Sequence, residues 1–261
     1  MKQISSAANP LIKEAARLRK AGARQERGLI LIDGAREIAA AVGSGLAPET
    51  VFYCPALAGP DRRNFFGLAD DKLIEVTADI FHKISHKENP DGWLALAPRP
   101  ERRLSDIRLG KAPLVMILEK VEKPGNLGAI LRTAYAVGAD AVIMNDNQTD
   151  IYNPNVIRAS EGYVFTETAV SASLPDTIAW LKKNKIKSFA AATSATRAYT
   201  EVDWSGASAI VLGSEADGLS EAWLEAADDQ VKIPMKAGLD SLNVSVTAAV
   251  IAFEAIRQRR V

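Results

Sequence analysis

Pro113-Leu114-Val115-Met116-Ile117-Leu118 is a continuous apolar run that opens into Glu119-Lys120-Val121-Glu122-Lys123-Pro124-Gly125-Asn126-Leu127-Gly128. Unbroken β-branched and aliphatic residues without alternation belong to a strand covered on both faces, the strand of a parallel sheet. The polar, glycine-bearing stretch then leads into a helical pattern from about Leu127 to Val137, closed by Gly138. The same rhythm recurs downstream. Ala141-Val142-Ile143-Met144, residues 188–192, residues 209–213 and residues 231–234 read as strands, and a long helix runs from about Asn243 to Arg259. Strands alternating with helices give an α/β domain with a parallel sheet.

Working back from Pro113, Ala97-Pro98-Arg99-Pro100-Glu101-Arg102-Arg103 interrupts every period with two prolines and a charge cluster, and reads as a linker. Before it, Pro10 to Gly22 has the spacing of an amphipathic helix, started by Asn9 as cap and Pro10 at the first helical position. Residues 28–34, 51–53, 72–76 and 92–96 read as short strands, with a helix from Ala35 to Gly43. The expected organisation is a small α/β domain over residues 1–100, a linker over 101–112 and a second α/β domain over 113–261.

Of 261 residues, 48% are hydrophobic, enough for a sizeable core, and no run approaches the ~18 apolar residues of a membrane span. The first residues carry no signal-peptide pattern, so the expected location is the cytoplasm. The single cysteine, Cys54, allows no intrachain disulfide and no cysteine-rich zinc site, and reads as a small buried hydrophobe. His82 and His86, four apart, read as a polar helix face, and no metal is expected. Net charge is +0, yet Lys2, Lys13, Arg17, Arg19, Lys20, Arg24, Arg27 and Arg36 outnumber the acids of the first segment. Those cations fit either a solvated helix face or a surface that meets phosphates.

In open parallel sheets, ligands collect at the carboxyl ends of the strands. Three loops there are rich in glycine and polar residues. The first, before residue 128, introduces a helix carrying Arg132, with Asn126 read as its cap and Arg132 facing the same way about two turns on. The second is Gly213-Ser214-Glu215-Ala216-Asp217-Gly218-Leu219, and the third runs from Met235 to Ser245. Singly, the glycines make turns, Ser241 and Asn243 cap a helix, and Arg132 closes an ion pair. Together, at one sheet edge, they make a site. There is no G-x-G-x-x-G fingerprint, no G-x-x-x-x-G-K-[ST] loop, no nucleophile elbow, and no histidine after His86. What remains is a site of Arg, Asn, Glu, Ser and backbone amides, suited to catalysis by positioning and electrostatics.

Asn126-Leu127-Gly128-Ala129-Ile130-Leu131-Arg132-Thr133, the 213–219 loop, and Ile233-Pro234-Met235 with Ser241-Leu242-Asn243-Val244-Ser245 resemble, in order, the three motifs of the SpoU/TrmH-type methyltransferases of the SPOUT superfamily. Residues 153–160 resemble the segment these enzymes carry between the first two motifs, and the N-terminal half is similar to the ribosomal-protein-like RNA-binding domain often fused to them. The resemblance implies a deep trefoil knot and transfer of a methyl group from S-adenosylmethionine to a ribose 2′-hydroxyl of RNA, with ribosomal RNA preferred over transfer RNA. Alternatives are a non-catalytic RNA-binding protein on the same scaffold and a nucleotide-cofactor oxidoreductase, the latter lacking its glycine fingerprint. By resemblance, Leu212, Gly213, Gly218, Ile233 and Leu242 hold the cofactor with Thr193 close by, Glu215 braces the cofactor loop, and Asn126, Ser241 and Asn243 orient Arg132 and the substrate. The family is usually dimeric through the C-terminal domain, with Arg132 partly across the interface. The arginine matching Arg132 is assigned as general base in the family. A guanidinium stays protonated below pH ~12, so Arg132 is read chiefly as gripping a phosphate beside the target ribose.

Overall fold

The computed structural model describes residues 2–59, 67, 69–146, 149–166 and 169–259. Met1, Arg260 and Val261, which the expected domain bounds include, lie outside them. The chain packs as two compact units, Met1–Glu101 with Asp150–Thr166, and Arg102–Thr149 with Glu167–Val261.

The first unit runs β1 (Lys2–Ile4), α1 (Pro10–Arg17), α2 (Ala21–Arg27), β2 (Leu29–Asp33), α3 (Ala35–Gly43), β3 (Thr50–Tyr53), α4 (Pro55–Ala58), β4 (Leu73–Val76), α5 (Ala78–Ile84) and β5 (Trp93–Pro98). Its sheet has the order β1-β4-β3-β5-β2, with β5 antiparallel to both β3 and β2. Leu31, Phe52, Ile74 and Leu94 of the sheet are buried with Ile12 and Leu18 of the helical layer and with Cys54, which is a packing residue. Each such aliphatic side chain contributes about 1.5–3 kcal/mol on leaving water.

The single amphipathic helix expected from Pro10 to Gly22 is two helices. Asn9 caps the first, its side chain accepting from the Leu11 N–H at 3.0 Å. The helix stops because the buried Arg24 guanidinium, through Nη1, takes the Leu18 and Arg19 carbonyls at 2.7 and 3.0 Å. Those are acceptors a continuing helix would need for its own amides. His82 lies inside α5, whereas His86 lies beyond its end, so the two do not share a helix face.

The second unit begins with β6 (Leu114–Glu119), α6 (Pro124–Val137) and β7 (Ala141–Asn145). The chain then contributes α7 (Pro154–Ala159) and α8 (Tyr163–Thr166) to the first unit, a grouping that the sequence pattern did not suggest. It resumes with β8 (Ala169–Ser171), α9 (Leu174–Lys183), β9 (Lys187–Ala191), β10 (Arg197–Ala198), β11 (Ser208–Leu212), α10 (Glu221–Ala226), β12 (Asp229–Lys232) and α11 (Val244–Arg259). Its seven-stranded sheet, ordered β10-β12-β9-β11-β6-β7-β8, is parallel at every pairing. All six residues of β6 are buried, as a central parallel strand requires.

Two features of this order position the site. β11 sits between β9 and β6, and β12 between β10 and β9, so the loops after β9, β11 and β12 leave neighbouring strands at the same edge. α11 leaves from beside the sheet interior and packs on α6 and β11. Its far end is fixed by Arg259, which donates to the carbonyls of Trp204 (2.9 Å), Ala112 (2.7 Å) and Gly206 (2.8 Å) and to Ser208 Oγ (2.7 Å).

Candidate cofactor site at the carboxyl edge of the second sheet

The loops after β9, β11 and β12 enclose a cavity of about 370 Å³ within the second unit. Thr193, Leu212, Gly213, Glu215, Gly218, Ile233, Ser241 and Leu242 all line it, together with Ala191, Met235, Val244 and Ile251. Its walls are aliphatic at the strand ends, and its charged members are Glu215, Asp217, Asp240 and Lys232.

The 213–219 loop is a tight fold-back. Ser214 N–H donates to the Gly218 carbonyl at 3.0 Å, and Gly218 N–H returns to the Ser214 carbonyl at 3.2 Å. Gly218 has φ +70°, a left-handed conformation that glycine adopts without steric cost. Gly213 is required for a different reason. A Cβ there would lie 2.1 Å from the Gly218 carbonyl carbon, 2.2 Å from its oxygen and 2.3 Å from the Leu219 nitrogen. All three are backbone atoms, so none can swing away. Gly213→Ala is therefore expected to open the fold-back and weaken ligand binding in the cavity by about 10- to 100-fold, the equivalent of 1–3 kcal/mol of overpacking. Titration calorimetry with S-adenosylmethionine checks this, and unchanged affinity would show that the loop does not shape the binding surface.

The loop is also tied to its neighbours. Asn126 Nδ2 donates to Glu215 Oε1, and Asn243 Nδ2 donates to Asn126 Oδ1 at 3.2 Å. Asn243 Oδ1 in turn accepts from the Ser245 N–H at 2.9 Å and from Ser245 Oγ at 2.6 Å, capping α11. One chain of hydrogen bonds thus joins the start of α6, the 213–219 loop and the start of α11. At the far end of the loop, Ser220 N–H donates at 2.7 Å to Glu119, a carboxylate buried at the end of β6. Sequence reading passed over Glu119. The signal was present, since an acid directly after a fully apolar strand must find a donor where it is buried.

Two local expectations for α6 are corrected. Asn126 does not cap the helix, which starts at Pro124 with Lys123 in the cap position. Proline's fixed φ suits the first helical residue and moves the start upstream, leaving the Asn126 side chain for Glu215 and Asn243. Nor do Asn126 and Arg132 face the same way. Six residues at about 100° each place them about 120° apart around the helix. Arg132 is exposed and is not among the residues lining the cavity. It lies one turn before Tyr135, which is 49% exposed, and the neighbouring α11 exposes Val246 and Phe253, the latter at 54%.

A parallel α/β sheet whose carboxyl-edge loops close on a glycine-bounded cavity places this unit in the class of α/β domains that bind a ligand where the strands end. Residues 113–253 match the SpoU rRNA Methylase family, and residues 9–95 match the MRM3-like substrate binding domain. The chain belongs to the SpoU rRNA methylase family. It is 30% identical over 254 residues to the 23S rRNA (guanosine(2553)-2′-O)-methyltransferase of Bacillus subtilis (strain 168), covering 97% of this chain and 98% of that protein. Among solved structures, an RNA 2′-O ribose methyltransferase is 40% identical, with a TM-score of 0.87 over 99% of this chain and 100% of that one. An S-adenosylmethionine-bound rRNA methyltransferase from Sinorhizobium meliloti is 26% identical, with a TM-score of 0.90 over 98% of this chain and 97% of that one.

No group of three metal-ligating side chains occurs among the described residues, and no helix among them is long and apolar enough to cross a membrane.

Proposed function

We propose that this protein transfers a methyl group from S-adenosylmethionine to a ribose 2′-hydroxyl of RNA, with ribosomal RNA as the substrate and the cytoplasm as its place of action. The observation that carries the reading is the hydrogen-bond chain Ser245–Asn243–Asn126–Glu215, which binds three family motifs into one assembly beside a cavity lined by the second and third. The Bacillus subtilis relative, matched over 97% of this chain, is a 23S rRNA 2′-O-methyltransferase, which supports ribosomal over transfer RNA.

The cavity fits the cofactor. Leu212, Ile233 and Leu242 present aliphatic surface and main-chain groups for adenine and ribose, and the glycine-bounded turn leaves room for the backbone to approach a ligand. When bound, S-adenosylmethionine supplies an electrophilic methyl on a sulfonium sulfur. Glu215, fixed by Asn126, would brace the 213–219 loop that lines the cavity. Ser241, which lines the cavity, and Asn243, which is tied to Asn126, would orient the incoming ribose. A 2′-hydroxyl is a weak nucleophile, so most of the acceleration comes from alignment.

Arg132 is the residue that the cavity of its own chain does not explain. Its position beside Tyr135, Val246 and Phe253 supports a homodimer through α6 and α11, in which Arg132 completes the site of the partner subunit. Apolar side chains exposed together on adjacent helices mark an interface. There Arg132 grips the phosphate next to the target ribose. The trefoil knot expected from the motifs accords with a strand order that returns β11 and β12 to the sheet interior.

Titration calorimetry with S-adenosylmethionine tests the cavity assignment. We expect one site per chain; an absence of binding by a folded sample would overturn it.

A further inference from the structure

We propose that Arg19, His86 and Arg158 of the first unit form a subsite for a backbone phosphate of the RNA substrate. The proposal rests on the RNA reading above and deepens it.

Three stretches far apart in sequence meet here. Arg19, at the turn after α1, donates through Nη2 to the Ser85 carbonyl, next to His86. His86 is held from below by Asp33 at the end of β2, whose Oδ2 accepts from the His86 N–H at 2.6 Å, from Ser85 Oγ at 2.8 Å and from the Lys87 N–H at 3.3 Å. α7, which carries Arg158, packs against β2. Arg19 and Arg158 are exposed, and His86 is half-buried.

The residues beneath are spent on fixing this arrangement. Arg24 is buried, paired with Asp150 at 2.7 Å, and holds the carbonyls of Leu18 and Arg19, so it fixes the turn from which Arg19 projects. Asp33 is buried with Oδ1 lacking a hydrogen-bond partner among the described residues. Such a carboxylate is costly to keep, and what it gives in return is a rigid 85–87 backbone.

The charge at the surface is unbalanced. Arg27 is paired with Glu14 and Arg36 with Glu161, while Asp150 offsets Arg24. Burial, then the positive charges of Arg19, Arg158 and Arg24, hold the His86 imidazole below its usual range, and Asp33 opposes them only in part. Arg19 anchors one arm of its guanidinium on the Ser85 carbonyl beside His86, and Arg158 is carried on α7 against β2; the donors these side chains still offer complement a phosphodiester's two non-bridging oxygens. Arg19 and Arg158 are exposed side chains, which suits contact with a polymer backbone. This resolves the basic N-terminal segment into cations that build the fold, such as Arg24, and Arg19, which points at a ligand.

The chain has only two histidines, so His86 can be followed by NMR with His82 as internal control. Adding inorganic pyrophosphate, and separately a short single-stranded RNA, to the full-length protein is expected to shift the His86 ring signals and raise its titration midpoint, leaving His82 unmoved. Arg158→Gln, on an exposed helix position, should weaken binding to a 23S rRNA transcript about tenfold and reduce its salt dependence by about one phosphate contact, with Arg158→Lys retaining most of the affinity. Arg19→Gln should act likewise. Unmoved His86 signals with variant affinities equal to wild type would overturn the subsite, as would a response to an acidic peptide but to neither phosphate probe. Methylation by the same wild-type sample separates the two readings. An enzyme that methylates RNA while His86 stays silent loses only the subsite, whereas a shifted His86 without methyl transfer loses only the proposed function.

Discussion

Replacing Arg132 with lysine is expected to lower turnover by about a hundredfold or more, while S-adenosylmethionine affinity stays within about twofold of wild type. Lysine keeps the charge but loses the planar fork that grips a phosphate in two places. Arg132 lies outside the cavity of its own chain, so binding and turnover should separate. On the proposed dimer, in which Arg132 serves the site of the partner subunit, mixing Arg132→Lys chains with chains carrying Gly213→Ala should restore part of the activity that each homodimer lacks. Wild-type turnover in the single variant would remove the role given to the guanidinium. No recovery in the mixture would remove the shared site.

The second large effect concerns stability. Arg24 has only 1% of its side chain exposed, and its Nε donates to Asp150 Oδ2 at 2.7 Å, with Arg99 at 3.6 Å from the other carboxylate oxygen. Asp150→Ala leaves a buried guanidinium without its counter-charge. Breaking one side of such a pair costs about 3–5 kcal/mol, on the order of 10 °C in melting temperature for a chain of this size. Arg24→Met combined with Asp150→Leu should recover part of the loss, because it removes the orphaned charge but leaves the Leu18 and Arg19 carbonyls without their donor. Thermal unfolding of both variants decides this, and a single-variant loss below about 1 kcal/mol would mean that water reaches Arg24.

The same pair shows where sequence reading stops. The run at 113–118 and the polar loops after it were legible because each follows from local chemistry, with apolar continuity for a buried parallel strand and glycine with amides for a ligand loop. The loops at 213–219 and 235–245 could likewise be placed at one sheet edge before any coordinates. Arg24 could not be separated from its basic neighbours, because nothing within a helical turn of it marks Asp150, 126 positions away, as its partner. The break between α1 and α2 has the same cause, since it is made by that buried guanidinium. The grouping of Asp150–Thr166 with the first unit was hidden because it depends on tertiary pairing and not on any boundary signal. Asn126 was misread as a cap because proline two residues earlier claims the helix start, and its true partners, Glu215 and Asn243, lie on other loops.

The most direct test is to incubate unmodified 23S rRNA with the protein and methyl-deuterated S-adenosylmethionine, digest the RNA to nucleosides and locate the label by mass spectrometry. We expect deuterium in a single 2′-O-methylnucleoside, at one rRNA position, and none with Arg132→Lys at the same time point. Label on a base, or no label from a folded protein that binds the cofactor, would contradict the account.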